Sequence, residues 1–173
     1  MSTMAELLGN QARVSPNLPA LSAPGRKPVS YGGLLKHVEG MACALGRRGI
    51  GRQDRVAIVL PNGPEMAAAF LSVCVCATAA PLNPHFRAAE FEFYLSDLQP
   101  RALLLESGRE THARGVADRL GIPVLELHST RESPAGCFTL DELAQKRCDC
   151  AAQLCAGRRH SPAPAHFRHD CSP

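Results

Sequence analysis

The chain has 173 residues, of which 45% are apolar and 5% aromatic, with no tryptophan. A chain of this length can bury one hydrophobic core, which must come mainly from Leu, Ala and Val. The net charge of +3 arises in residues 146–173, with five basic and two acidic residues, whereas residues 1–145 balance at 14 of each. The body of the chain therefore lacks a net basic charge, which argues against nucleic acid as a partner.

The chain begins with a predicted helix and a predicted hairpin. Apolar residues recur at helical spacing over residues 3–14, and Pro16 stops this helix. The sequences "LPALSA" and "KPVSY" then flank Pro24, Gly25 and Arg26. Two short apolar segments around such a turn predict a strand pair.

A second helix and a buried strand follow. Ser30 is the predicted N-cap, apolar residues recur at helical spacing from Leu34 to Leu45, and Gly49 is the predicted C-cap. The sequence "RVAIVL", residues 55–60, is typical of a parallel strand covered on both faces. Pro64 opens the next helix, where its missing N–H costs nothing.

The rest of the body alternates between helix and strand. The helix "EMAAAFLSVCVCA" is apolar almost all round, so we expect it to be buried. Strand "TAAPLNP", helix "AAEFEFYLSDL", strand "RALLLES", helix "ETHARGVADRLG" and strand "IPVLELH" come next, and residues 137–145 begin another unit with Thr139 as a candidate N-cap. This alternation predicts an α/β fold with a parallel sheet.

Catalytic and targeting signals are scarce. The chain contains no GxGxxG, GxxxxGK[ST], HExxH or GxSxG motif. His37 and His112 fall on predicted helices as surface residues, and His85 follows a strand, where a structural role is favoured over a functional one. The N-terminus has no secretory pattern and no segment is apolar enough to cross a membrane, so we expect a soluble, cytoplasmic protein without a membrane partner.

The cysteines fall into two groups. Those of the body lie mostly in apolar segments, which is typical of reduced, buried thiols; they are Cys43, Cys74, Cys76 and Cys137. The others share the tail with three histidines and could in principle hold zinc; these residues are Cys148, Cys150, Cys155, His160, His166, His169 and Cys171. Their spacing supplies only half of the paired motifs usual in zinc sites, so metal binding is the minority interpretation.

Three stretches of the body closely resemble the N-terminal part of the adenylate-forming acid–CoA ligases. They are "PALS" at 19–22, "GIGRQDRVAIVLPNGPEMAAAFL" at 49–71 and "ATAAPLNPHFRAAEFEFYLSD" at 77–97. The last is most similar to oxalate–CoA ligases of the plant and fungal peroxisomal type. The resemblance covers about residues 5–145, so it implies that residues 1–145 are the N-terminal part of the ligase domain, with a partial parallel sheet.

The resemblance also implies a reaction and a set of cofactors. Such ligases use ATP, Mg²⁺ and CoA to convert a carboxylate into its CoA thioester. Their Ser/Thr/Gly-rich phosphate loop, adenine pocket and catalytic C-terminal domain lie downstream of every matched residue. No catalytic, cofactor-binding or metal residue is therefore assigned to this chain, and no cofactor is expected to bind it.

Residues 146–173 lose the pattern of the body. They contain one Leu and no Val, Ile or Met, so we expect them to be disordered. Codons that are legal for residues 158–173, followed by a TAA stop codon and a G and read one nucleotide later, give Asp-Asp-Ile-Ala-Leu-Leu-Leu-His-Thr-Ser-Gly-Thr-Thr-Ala-Arg-Pro-Lys. That sequence resembles the family's phosphate loop, so our hypothesis is that the tail is translated out of frame, with the frame lost between about 145 and 158.

Three interpretations remain at this stage. The favoured one is an inactive fragment of an acid–CoA ligase, whose sheet edges stay unpaired. The second is a non-catalytic module that pairs with a full-length ligase paralogue, and the third is a metal-binding protein that uses the tail. The parent enzyme could be peroxisomal, but its own C-terminus is needed to read such a signal.

Overall fold

The computed structural model describes residues 3–140, and these residues form five helices and seven strands. The helices are α1 Met4–Val14, α2 Tyr31–Arg47, α3 Pro64–Cys76, α4 Ala88–Leu98 and α5 His112–Leu120. The strands are β1 Pro19–Leu21, β2 Val29–Ser30, β3 Arg55–Val59, β4 Thr78–Pro81, β5 Ala102–Glu106, β6 Val124–His128 and β7 Thr139–Leu140. The helices and strands predicted up to His128 are all confirmed.

Five strands form one mixed sheet in the order β4-β3-β5-β6-β7. The first four strands are parallel, as predicted, but β7 runs antiparallel to β6. The prediction of Thr139 as a helix N-cap is wrong, because Thr139 pairs with His128 in the sheet. The connection between these two strands contains no helix, so the chain returns along β6 instead of crossing over. The predicted continuation to residue 145 and the tail from 146 to 173 lie outside the described residues.

The core has two layers because side chains alternate along the strands. Val56 and Ile58 of β3 face the helices α1, α2 and α3, whereas Ala57 and Val59 face α4 and α5. In β5, Leu104 belongs to the first layer and its neighbours to the second. Helices therefore cover both faces of the sheet, which is the doubly wound arrangement expected of parallel α/β folds.

The predicted start of α2 is confirmed, and its predicted end is off by one position. Ser30 Oγ accepts a hydrogen bond from the backbone N–H of Gly33 at 3.2 Å, as an N-cap should. The helix ends at Arg47 and Arg48 is the C-cap residue. Gly49 follows with a φ of 72°, a left-handed conformation that glycine adopts without strain.

Helix α3 is only partly buried, although its sequence is apolar almost all round. Its fully buried residues are Ala68, Ala69, Ser72 and Val73, and the rest of the helix is half-buried. The expectation of a buried helix is thus correct for one side, which packs on the sheet and α2. The other side is covered only in part by residues 3–140.

Candidate functional site

A groove of about 930 Å³ lies at the carboxyl end of the parallel strands. It lies between the loop that follows β4 and the loop that follows β5. In open parallel sheets, ligands bind at this end, next to the place where successive helices change faces. The groove is therefore the first place to look for a site among the described residues.

The two loops are shaped by local hydrogen bonds. The side chain of Asn83 accepts from the backbone N–H of His85 at 3.0 Å, an Asx turn that carries the chain out of β4. Gly108 has a φ of 71°, which turns the chain after β5. Thr111 then caps α5, since its Oγ1 accepts from the N–H of Ala113 at 3.3 Å.

The arginines of the groove already have carboxylate partners. Arg114 Nη2 lies 2.8 Å from Glu126 Oε1, and Arg109 Nη1 lies 3.2 Å from Glu106 Oε2. The hydroxyl group of Ser107 donates a hydrogen bond to Glu126 Oε2 at 2.7 Å. This hydrogen bond, helped by Arg114, lowers the pKa of Glu126 below its usual value. Both guanidinium groups of the groove are thus engaged, and an anionic ligand would have to compete with carboxylates for either of them.

The structure separates His37 from His85 and His112. His85 and His112 are exposed at the groove, so the prediction of a surface position for His112 is confirmed. The same prediction is wrong for His37, which is half-buried and makes an edge contact with the ring of Phe138, with ring centres 4.6 Å apart. Burial lowers the pKa of His37. Its Nε2 atom is buried without a hydrogen-bond partner.

The body cysteines are not paired in disulfides, and burial affects three of their thiols. Cys43, Cys74, Cys76 and Cys137 are free and half-buried, a little less buried than predicted. Burial, with the neighbouring Cys74, raises the pKa of Cys76 to about 11. Burial also raises the pKa of Cys74 and of Cys137. A thiol with a raised pKa is a poor nucleophile and a poor metal ligand at neutral pH.

Metal binding finds no support within residues 3–140. In that range, no group of three or more His, Cys, Asp or Glu side chains is placed to hold an ion. The cysteine and histidine cluster of the tail lies beyond the described part of the chain and stays a prediction. Residues 3–140 also contain no helix that is long and apolar enough to cross a membrane.

The amino end of the sheet carries a second groove of about 610 Å³. One of its polar side chains, that of Asp54, stabilises a turn. Asp54 Oδ2 accepts from the backbone N–H of Gly51 at 2.7 Å and shapes the turn that enters β3. Ligands rarely use this end of a parallel sheet, so we assign the second groove no function.

A charged cluster that the sequence did not predict joins three distant segments. We call Arg26, Glu65 and the backbone of residues 133–136 the Arg26 clamp. The Nη1 of Arg26 pairs with Glu65 Oε1, while its Nε and Nη2 donate to the carbonyl of Ser133 at 3.2 and 3.1 Å. Nη2 also donates to the carbonyl of Pro134 at 3.0 Å, and Gly136 N–H donates to Glu65 Oε1 at 3.3 Å.

The Arg26 clamp has a structural role, because its hydrogen-bonding groups bind one another and hold three segments together. Gly136 lies in the left-handed region at a φ of 83°, and a Cβ there would lie 2.8 Å from Leu21 Cδ1. One sequence signal pointed toward the clamp: Glu65 is the only charged residue in α3. Its partners come from far along the chain, so their identity could not be read from the sequence.

Comparison with known proteins gives a consistent result. The sequence profile of AMP-binding enzymes matches residues 8–166. The oxalate–CoA ligase of Arabidopsis thaliana is 38% identical over 122 residues, which cover 69% of this chain and 24% of that protein. The oxalate–CoA ligase of Saccharomyces cerevisiae is 47% identical over 58 residues, covering 33% of this chain and 11% of that protein.

A solved structure supports the same relationship. The N-terminal domain of FACL13 from Mycobacterium tuberculosis matches with a TM-score of 0.61 at 28% identity, over 70% of this chain and 30% of that one. The chain spans about a quarter of the length of the Arabidopsis protein it matches.

Proposed function

Since this chain belongs to the family of AMP-binding enzymes, we propose that it is the first quarter of an acid–CoA ligase and does not activate an acid by itself. In the parent reaction, a carboxylate attacks the α-phosphate of ATP and releases pyrophosphate. The acyl group then passes from AMP to the thiol of CoA. The parent enzyme would need ATP, Mg²⁺ and CoA for these two steps.

The ion pairs of both arginines in the carboxyl-end groove support the inactive interpretation. Adenylation needs preorganised donors and cations that stabilise the negative charge of the reacting phosphates. Arg109 and Arg114 are matched to Glu106 and Glu126, and residues 3–140 contain no Ser/Thr/Gly-rich phosphate loop. Loss of one such donor can cost an enzyme about 3 kcal/mol of transition-state stabilisation, so the loss of a whole set leaves no measurable rate.

An exchange assay tests this part of the proposal. The purified chain is incubated with ATP, Mg²⁺, oxalate and labelled pyrophosphate, and label in ATP is counted. We expect no exchange above a protein-free blank. Acid-dependent exchange that rises with protein concentration would show that the chain activates acids and would overturn the inactive interpretation.

We further propose that residues 158–173 are an out-of-frame reading of the parent gene. The shifted reading resembles a strand followed by the phosphate loop of acid–CoA ligases. The coding DNA across residues 140–173 tests this proposal. We expect a codon string that yields His-Thr-Ser-Gly-Thr-Thr one nucleotide downstream, and a string without it would exclude the frame shift while leaving the family assignment intact.

Oxalate is the acid that we propose for the parent enzyme. The support is the similarity to oxalate–CoA ligases from a plant and a yeast. The acid-selecting residues of the parent would lie after residue 173, so the test needs the frame-restored, extended gene. Exchange that is fastest with oxalate among short mono- and dicarboxylates is expected, and a clear preference for another acid would contradict the assignment.

A further inference from the structure

The loop between β3 and α3 contains Asn62 followed by Gly63, and both residues are exposed. Within residues 3–140, neither the carboxamide of Asn62 nor the backbone N–H of Gly63 makes a hydrogen bond. Most backbone N–H groups of a folded chain are paired with protein or with water. In this loop, therefore, a carboxamide and the N–H of the next residue are both accessible to solvent and engaged by no other group of residues 3–140.

The backbone of Gly63 has room to move. It is extended, with a φ of 166° and a ψ of −179°, and its carbonyl accepts a hydrogen bond from Ala67 N at 3.1 Å. Beyond the neighbouring residues, a Cβ built at Gly63 would lie within 4 Å of Glu65 Oε2 alone, at 3.9 Å. Because glycine rotates freely about its main-chain bonds, the nitrogen of Gly63 can reach the side-chain carbonyl carbon of Asn62.

Asn83, in the loop after β4, lacks both features of Asn62. It precedes Pro84, which has no N–H to offer as a nucleophile. Its side chain is also held in place, because it accepts the hydrogen bond from the backbone N–H of His85. The same residue type is thus protected at the end of one strand and unprotected at the end of another.

The other two asparagines of the chain are also engaged. Asn10 lies within helix α1, and its Oδ1 accepts a hydrogen bond from Arg13 Nη2 at 3.4 Å. Asn17 is followed by Leu18, whose N–H donates to the carbonyl of Ser15 at 3.3 Å. Each therefore has at least one of its two reacting groups occupied by a hydrogen bond.

We propose that Asn62 is a site of spontaneous deamidation in the folded chain. The nitrogen of Gly63 gives its proton to solvent and attacks Cγ of Asn62, so that a nitrogen–carbon bond forms and the side-chain nitrogen leaves as ammonia. Water then opens the cyclic imide. Hydrolysis at Cγ gives aspartate, and hydrolysis at the main-chain carbonyl gives isoaspartate. Water is the only co-reactant, so the modification does not depend on the proposed function.

The two products differ in what they do to the loop. Either one adds a carboxylate at the start of α3, where the positive end of the helix dipole stabilises negative charge. Isoaspartate also routes the main chain through Cβ and so lengthens the loop by a carbon atom. This loop leads to Glu65, which pairs with Arg26 in the Arg26 clamp. We therefore expect aspartate to preserve the fold and isoaspartate to weaken the clamp.

Peptide mapping of the purified full chain tests the proposal. The folded protein is kept in mildly alkaline buffer below its unfolding temperature, and the peptides that contain its asparagines are followed by mass spectrometry. We expect the peptide with residue 62 to gain the mass of an amide-to-acid conversion, faster than in neutral buffer, while the other three asparagines keep their mass. An unchanged residue 62, or equally fast conversion of Asn10 or Asn17, would overturn the proposal.

Two substitutions separate the reacting groups. Asn62→Gln lengthens the side chain by a methylene group, which disfavours ring closure, so the acidic product should be lost. Gly63→Ala fits the space at this position and should slow the conversion severalfold, because alanine restricts the main-chain rotation that ring closure needs. Far-ultraviolet circular dichroism checks that both variants are folded. Conversion at the wild-type rate in both variants would exclude ring closure through Gly63.

Thermal unfolding tests the effect on the clamp. The isoaspartate form is separated from the aged protein by ion exchange and compared with Asn62→Asp, which has the same charge and an ordinary main chain. The isoaspartate form should unfold at a lower temperature than Asn62→Asp. Equal unfolding temperatures would exclude an effect of the lengthened loop on the Arg26 clamp.

Discussion

Helices α3 and α5 each follow a buried parallel strand, yet their surfaces differ. Helix α5 buries Ala113, Val116 and Ala117 against the sheet and turns charged residues outward. Its Arg114 and Arg119 make ion pairs with Glu126 and Glu92. Helix α3 has a single charged residue, and that residue points into the Arg26 clamp.

This difference distinguishes the two faces of the sheet by the outer surface of the helix that covers each. A helix with one apolar stripe and a charged outer face is stable at a solvent-facing surface. A helix without that charged face loses stabilisation wherever no protein covers it. The α5 side therefore carries the charged outer face of a solvent-facing helix, whereas the outer side of α3 is apolar and half-buried.

The largest expected loss of stability comes from removing a core aromatic ring on the side of the sheet that α4 and α5 cover. Phe91 of α4 is fully buried and makes an edge contact with Phe86, with ring centres 5.7 Å apart. Phe91→Ala should lower the free energy of unfolding by about 3–5 kcal/mol, because it removes buried area and leaves a cavity. Phe70→Ala on α3 is the matched control and should cost clearly less. Urea unfolding measures both, and equal losses would contradict the contrast between the two sides.

The next largest loss of stability is expected from breaking the Arg26 clamp. Arg26→Met keeps much of the aliphatic packing but removes the partner of Glu65 and the donors to residues 133 and 134. Hydrogen bonds to charged groups contribute about 1.5–3 kcal/mol, so we expect a loss of about 2 kcal/mol in thermal or urea unfolding. The double variant Arg26→Met/Glu65→Gln should recover part of this loss, because it removes the carboxylate left unpaired. If the double variant recovers none of the lost stability, Arg26 and Glu65 do not stabilise the fold as a pair.

Local patterns predicted most of this fold, whereas contacts between distant segments were missed. Short branched segments predicted β3, and Pro64 predicted the start of α3, because both signals act within a few residues. The edge contact of His37 with Phe138 and the pairing of Thr139 with His128 depend on how remote segments meet. Helical periodicity places His37 beside the apolar stripe of α2 and gives no sign that a phenylalanine covers it.

The same limit applies to the candidate site. The sequence predicted His85 in a loop after a strand, but it did not predict the ion pairs that engage the arginines of the groove around it. Arg114 and Glu126 lie on different elements, and their pairing follows from the parallel order of β5 and β6. Spacing along the chain carries no information about that order.

His37 makes a smaller contribution to the stability of the fold, and this contribution depends on pH. Burial lowers its pKa from 6.5 in the folded chain, so the unfolded chain binds the proton more readily. The stability that comes from keeping His37 neutral is present above about pH 6.5 and is lost as the pH falls below it toward the lowered value. His37→Gln should flatten this part of the stability curve, and His112→Gln, at an exposed site, should leave it in place. An unchanged slope in His37→Gln would contradict this assignment.

The smallest effect concerns the ion pair between α4 and α5. Arg119 and Glu92 are 3.1 Å apart, and each side chain is 56% exposed. Exposed pairs contribute little, so Arg119→Ala should change the free energy of unfolding by about 0.5 kcal/mol or less. The difference should shrink further in 1 M salt. A loss above about 1 kcal/mol would mean that this side of the molecule depends on its charges for stability.

The central claim is that the acid-activating machinery lies downstream of the residues described here. Side-by-side pyrophosphate exchange on two proteins tests it most directly: the chain as printed, and the product of the same gene with one nucleotide adjusted between residues 145 and 158 and the reading extended. The account predicts exchange by the second protein and none by the first. Equal exchange by both, or exchange by the printed chain alone, would contradict it.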